Sequence, residues 1–312
     1  MPTNRSLWQD KAGVPGLEDR QLLVKVHAWA MNPCDAILQD QALPFIKVVA
    51  VGPTAASKFS VGDRVFGFTI NNGFQEYVLL DHTLTAKIPE HLSFAEASVF
   101  PLCCTTASFS LFGKDFLGLP PPSLNPTGTG KSVLIWGGSS AVGSNAIQLA
   151  RAAGFEVITT CSPRSFDYVK GLGASKVFDY NSPSVTDDVA AELDKGTCVG
   201  IYLAVGSVAD ACQVSHKSKQ KLFVASSNPV NPEDVPEGVE VKMTFGTGGA
   251  DMFKEILSIT FGGFLVEALA KGAYKVAPPP EVVSKKGLDS IQEALDILKK
   301  GTSAKKLVVE AN

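Results

Sequence analysis

Seven consecutive residues carry the first chemical signal in this chain: Gly137-Gly138-Ser139-Ser140-Ala141-Val142-Gly143. An apolar run, Val133 to Trp136, leads straight into them. An amphipathic run follows, with Val142, Ala146, Ile147, Leu149, Ala150 and Ala153 on one face, and Gly154 stops it. A strand, a glycine turn and a helix in that order leave unpaired backbone N–H groups at a helix N-terminus, where the helix dipole also favours an anion. Glycine permits close backbone approach to a pyrophosphate. A plain strand-to-helix turn recruits glycine for packing as well. The second apolar run, Phe155 to Thr160, comes directly after the helix and favours a dinucleotide site.

The end of that second run bears on cofactor choice. A site selecting NAD places Asp or Glu there for the ribose 2′-hydroxyl. Here the residues are Thr160-Cys161-Ser162-Pro163-Arg164-Ser165, with no acid. Ser162 can donate a hydrogen bond and Arg164 can make charge-assisted bonds to a 2′-phosphate. The pattern favours NADPH; a solvated loop arginine is the alternative.

Metal chemistry finds little support in the spacing. There is no C-x-x-C, and His27, His82, His91 and His216 show no ligand spacing. Cys34 reads as a small buried residue, and the adjacent Cys103 and Cys104 as part of a packed helix. No metal is expected.

These residues need a scaffold to position them. The 312 residues suffice for two domains. A hydrophobic fraction of 45%, a charged fraction of 19% and a net charge of -3 fit a globular protein with no electrostatic footprint for nucleic acid. No uninterrupted apolar run approaches the ~20 residues that cross a bilayer, and the first residues lack the apolar core of a secretory signal. The six cysteines, Cys34, Cys103, Cys104, Cys161, Cys198 and Cys212, lack scaffold spacing. A cytoplasmic location is expected.

Residues 1–107 alternate short strands and turns, among them Leu22 to Ala28 and Phe74 to Leu80, with a turn at Gly62 to Gly67. A helix starts near Ser93, with Glu96 as its capping-box partner, and runs toward Ala107. The Pro- and Gly-rich stretch Leu117 to Gly130 reads as a surface loop. Then strands and helices alternate. Strands are expected at Lys176–Tyr180, Gly200–Val205 and Lys221–Ser226, and helices at Ser165–Leu172, Thr186–Lys195 and Val208–Val214. This predicts an α/β fold with a doubly wound parallel sheet over residues 108–277. Residues 278–312 add a helix near Leu288–Lys300 and a strand Lys306–Glu310, returning to the first domain.

Several motifs together resemble the medium-chain dehydrogenase/reductase superfamily, in its zinc-independent, quinone-reductase-like branch. They are Met31-Asn32-Pro33-Cys34-Asp35, Val61 to Gly67, Phe74 to Leu80, Pro101 to Ala107, Gly137 to Gly143, Thr160 to Tyr180 and Lys305 to Glu310. Within that branch the chain looks most like the ToxD-like fungal trans-acting enoyl reductases that partner polyketide synthases. The resemblance covers nearly the whole chain. It implies a Rossmann domain over 108–277 and a mainly β, GroES-like substrate domain from 1–107 with 278–312. It implies NADPH-dependent reduction of an α,β-unsaturated polyketide thioester, by a monomer or homodimer that binds neither nucleic acid nor membrane. A quinone or free-enone reductase, and a non-reductive isomerase, cyclase or binding protein, are rival readings on the same fold.

By resemblance, Gly138, Ser139, Ser140, Ala141, Val142 and Gly143 line the cofactor phosphates. Ser162, Arg164 and Tyr180 sit at the adenosine end, and Val205 and Gly206 pass near the nicotinamide. Thr106 and Asn32 are the candidate catalytic residues, and Phe245, Gly246 and Gly248 line the substrate pocket. Each has a plainer alternative: a strand-end tyrosine, a helix-bonded Thr106, a turn-forming Asn32, loop glycines. Two departures stand out. The G-x-D-x-A-G stretch that relatives carry before Val61 is absent, and Ile37 stands where many relatives have a lysine, supplying neither charge nor proton.

Overall fold

The computed structural model describes residues 4–6, 9–12, 17–33, 35, 43–67, 73–244 and 250–312. Contacts divide the chain into Cys103–Thr260 and a second unit made of Met1–Leu102 with Phe261–Asn312. The return falls at Phe261, earlier than residue 278. It lies inside a helical run from Ala250–Ile259 through a π turn, Thr260–Phe264, to Leu265–Ala270, so no break in periodicity marks it.

Cys103–Thr260 is built on six parallel strands: β1 (Lys131–Trp136), β2 (Glu156–Cys161), β3 (Lys176–Asp179), β4 (Thr197–Leu203), β5 (Val224–Ser226) and β6 (Val241–Met243). Their order in the sheet is β3-β2-β1-β4-β5-β6, which reverses direction between β1 and β4. That reversal is the topological switch point, where open parallel sheets bind ligands at their strands' C-terminal ends. The central strands are nearly continuous apolar runs, as burial on both faces demands: Val133, Leu134, Ile135, Val157, Ile201 and Leu203 are all within the core. β5 is shorter than its apolar run suggests, starting at Val224. β6, with three half-buried residues, has no alternation strong enough to announce it.

The second unit is a seven-stranded, mostly antiparallel sheet. Its order is Pro280–Val282, Lys306–Glu310, Gln21–Ala30, Leu43–Val51, Arg64–Gly67 and Thr85–Lys87, with Tyr77–Asp81 also paired to Gln21–Ala30. The C-terminal strand pairs Val308 with Ala30. The helix Ile291–Lys299 adds Ile291, Ala294 and Leu295 to a core that contains Leu22, Val24, Trp29 and Leu80. Ser93 and Glu96 form the expected reciprocal capping box, but that helix ends at Ala97. A new one, Pro101–Phe112, starts on proline, which is favoured in a helix's first turn. Read as one run, Phe94–Phe112 has the length and mean hydropathy, 1.2, of a membrane span, which no uninterrupted apolar stretch suggests. Because 78% of it is buried, it is a core element.

Candidate functional site

The helix Ala141–Ala152 begins at the C-terminal end of β1, beside the switch point. Ser140 caps it: its hydroxyl accepts from the Gly143 N–H at 3.0 Å and donates to the Gly137 carbonyl at 2.8 Å. The cap leaves the N–H groups of Ser139, Ala141 and Val142 without an acceptor among the described residues. All three residues are half-exposed. Three free donors at the positive end of a helix dipole make an anion site. Ser140 contributes geometry, since its side chain is already committed. Val142 is half-exposed on this rim, although its spacing assigns it to the buried face.

The glycines also have a packing duty. A Cβ on Gly138 would lie 2.1 Å from Thr159 Oγ1, and one on Gly143 would lie 2.3 Å from the Gly137 carbonyl oxygen. Gly137 itself has φ +82°, a left-handed conformation that costs glycine nothing. Their smallness lets strand, turn and helix close on one another. Thr160 Oγ1 accepts from the Gly137 N–H at 3.1 Å and ties the turn to β2.

Next to this rim, β2 and β3 end together, with Cys161 opposite Asp179. Ser162 precedes a short 3-10 turn, Pro163–Ser165, without using its side chain as a cap. Arg164 is exposed and has no carboxylate partner among the described residues. Tyr180, 42% exposed, follows β3 directly. The register also brings an acid to this edge, which the end of β2 lacks: Asp179. Its Oδ1 is taken by the Asn181 backbone N–H and side-chain amide, both at 2.9 Å. Burial, aided by Asp179, pushes the Cys161 thiol up to about 11, so it is no nucleophile at neutral pH. Burial likewise pushes Tyr168 up to about 12, opposed by the Ser144 hydroxyl at 2.8 Å.

On the other side of the switch point, β4 stops at Leu203 and Val205 is 47% exposed, an apolar side chain left open at the ligand edge. Gly206 has φ +123°, and a Cβ there would meet Trp136 Nε1 at 2.9 Å. Thr106 lies half-buried on Pro101–Phe112, its carbonyl accepting from Ser110 at 3.1 Å. Phe245, Gly246, Gly248, Cys34 and Ile37 lie outside the described residues.

Asn32 is fully buried in the other unit. Its amide donates to the Ala30 carbonyl at 3.1 Å and to Asp35 Oδ2 at 3.0 Å, and its Oδ1 accepts from the Lys306 ammonium. Both donors are spent inside that unit, so the placement describes a structural bracket. Lys306 is itself only 4% exposed, whereas in the sequence it reads only as a strand-start lysine beside Lys305. The hydroxyl of Tyr202 is also fully buried, which no sequence motif marks. Its signal was a tyrosine within an aliphatic strand, whose O–H must find a partner when buried.

Among the described residues no three His, Cys, Asp or Glu side chains gather to hold a metal.

Residues 141–255 match the family model for zinc-binding dehydrogenases. The chain is 43% identical to dehydrogenase azaJ of Aspergillus niger over 98% of this chain and 96% of the relative. That alignment spans 337 positions, more than the 312 residues here, so the relative carries segments this chain lacks. The trans-enoyl reductase himH of Aspergillus japonicus is 35% identical over 98% of this chain and 97% of the relative. A mycobacterial protein, Rv1454c, solved in complex with NADPH, shares the fold with a TM-score of 0.70 at 23% identity, covering 96% of this chain and 94% of that one.

Proposed function

This chain belongs to the medium-chain dehydrogenase/reductase family, and from that premise we propose that it is an NADPH-dependent enoyl reductase. Its substrate is an α,β-unsaturated polyketide thioester of secondary metabolism, presented by a polyketide synthase in the cytoplasm. The observation that carries this reading is the rim of free N–H groups at Ser139, Ala141 and Val142, with the unpaired Arg164 one strand away. The likeness to a trans-enoyl reductase over nearly the full length supports the substrate class.

NADPH, when bound, supplies a hydride to the β-carbon of the enoyl thioester. The rim holds the pyrophosphate at the helix N-terminus. Arg164 and Ser162 hold the 2′-phosphate, since Arg164 has no competing carboxylate while Asp179 is engaged by Asn181. Tyr180 offers an exposed ring to the adenine, and Val205 an apolar contact to the nicotinamide. Thr106 orients the nicotinamide. Holding the two reactants in register supplies much of the rate gain. No step runs through zinc.

Titration of NADPH and NADH into the protein and its Arg164→Ala variant tests this. We expect Arg164→Ala to weaken NADPH by about 10- to 100-fold, the worth of a charge-assisted hydrogen bond or two, and to leave NADH unchanged. Equal losses for both nucleotides would refute the 2′-phosphate assignment. Wild-type protein that binds NADPH yet reduces no trans-2-enoyl thioester would refute the enoyl reductase reading.

A further inference from the structure

After β4 the chain makes an exposed turn, Val205-Gly206-Ser207, before the helix Val208–Lys217. Both ends of the turn are anchored. The Ala204 N–H donates to the Trp136 carbonyl at 3.0 Å, and the Ser207 hydroxyl caps the helix by accepting from the Asp210 N–H at 3.1 Å. Gly206 stands between these anchors. Its φ of +123° and the Trp136 indole nitrogen, 2.9 Å from where a Cβ would lie, demand glycine there. Glycine is also the freest residue of the backbone, so an exposed glycine turn keeps one shape only when something tethers it.

The tether comes from the neighbouring strand. The side-chain amide of Asn228, two residues past β5, donates to the Gly206 carbonyl at 2.6 Å. Asn228 is itself gripped. The Ser226 hydroxyl, fully buried at the end of β5, accepts from the Asn228 N–H at 3.0 Å and donates to the Asn228 carbonyl at 2.8 Å. The intervening Ser227 N–H donates to the Leu203 carbonyl at 2.9 Å, and Ser227 Oγ lies 2.7 Å from the buried Tyr202 hydroxyl. Gly206 is exposed, so water would satisfy its carbonyl about as well as Asn228 does. The bond therefore adds little stability; what it fixes is shape.

That shape adjoins the rim. A Cβ on Gly137 would lie 2.4 Å from the Val205 carbonyl oxygen, so the turn's backbone packs directly on the glycine that opens the rim. In the reading above, the 2′-phosphate lies toward Arg164, past β2, and the pyrophosphate at the end of β1. The nucleotide's other half then runs across the switch point to the end of β4, where this turn stands.

We propose that Asn228 is a positioning residue for hydride transfer: through Gly206 it holds the Val205–Gly206 turn in the one shape that seats the nicotinamide with a single face presented for reaction. This inference rests on the NADPH-dependent reductase reading. The enoyl thioester gains the hydride, with its two electrons, at the β-carbon and a solvent proton at the α-carbon, and the nucleotide is left oxidised. With the tether cut, the phosphates still hold the nucleotide, but the ring turns over and either C4 hydrogen leaves.

Asn228→Asp keeps the side chain's size and removes the donor, since a carboxylate cannot donate to a carbonyl. In the nucleotide-free protein, the NMR order parameter of the Gly206 N–H should fall from about 0.85, that of rigid backbone, to about 0.6 or below; an unchanged value overturns the clamp. Turnover of a short trans-2-enoyl thioester with NADPH deuterated at C4 on one face or the other reads the seat. Wild type should transfer from one face only. Asn228→Asp should transfer from both, with kcat lower by about 10- to 100-fold and NADPH affinity within about threefold of wild type. Partial unfolding would lower kcat and leave the face strict, so single-face transfer by the variant overturns the proposal at any kcat. Mixed faces in wild type overturn it as well. Should Asn228→Asp fail to fold, Asn228→Ala takes its place. A wild type that binds NADPH and transfers no hydride overturns the reductase reading and this role together, and the order parameter, needing no nucleotide, tells that failure from failure of the clamp.

Discussion

Within the unit that carries the parallel sheet, Ser140 binds Gly137 and Gly143 three residues away on either side. In the other unit, Lys306 reaches Asn32 across 274 positions. Both are tight polar brackets, yet one is written in consecutive letters and the other joins the two ends of the chain. The first forms as soon as a strand and a helix meet. The second exists only when Lys306–Glu310 has paired with Gln21–Ala30, a long loop closure whose entropy must be repaid by the core around Trp29 and Ile291. Local motifs thus advertise the glycine rim, while the antiparallel unit hides its key polar group among ordinary surface-type residues.

The contrast can be broken by substitution. The largest effect is expected from Gly143→Val, whose Cβ would fall 2.3 Å from the Gly137 oxygen and 2.8 Å from the Gly138 Cα, both backbone. Neither can yield without opening the rim, so NADPH affinity should fall by about 100-fold or more, roughly 3 kcal/mol. Calorimetric titration reads this, and a loss below about threefold would show that the turn tolerates the clash.

A comparable stability cost without a binding cost is expected from Lys306→Met. It leaves Asn32 Oδ1 without its buried ammonium. Urea unfolding should show a loss of about 2–4 kcal/mol, with NADPH affinity kept. Loss of nucleotide binding in a still-folded Lys306→Met protein would erase the distinction between the units.

The smallest effect concerns Asp81, in the antiparallel unit. Burial alone would raise its pKa, but the Thr83 hydroxyl and backbone N–H, together with Arg20, outweigh that and hold it below its ordinary 3.8. The folded state therefore binds this proton less readily than the unfolded chain. Its stabilisation is complete above about 3.8 and drains away as pH falls through the folded value. Asp81→Ala should cost about 1 kcal/mol at neutral pH, the worth of a lost cap. The gap to wild type should close in acid; a gap independent of pH would assign the loss to packing instead.

Much of the parallel sheet was legible because β1, β2 and β4 are short apolar runs with a glycine close by, and the helices between them carry an apolar face. Where that failed, the cause is physical. Val142 obeys the helical period but lies in the first turn, where the rim opens to solvent. β6 is a three-residue, half-buried strand with too little pattern to detect. Asp179 was plain in the sequence, yet its neighbour Cys161 is set by β2–β3 register, which no local rule supplies.

The residues by themselves determined the strand–turn–helix cradle, the order of strands and helices around it, and an arginine just past the second strand of that unit. These depend on contacts a few positions apart, and side-chain type decides them. Only the tertiary structure decided that the glycines also serve packing, that Asn32 is locked to Lys306, and that the buried Tyr202 hydroxyl meets Ser227. Those facts follow from which distant segments share a sheet, and that choice belongs to the burial energy of the whole core.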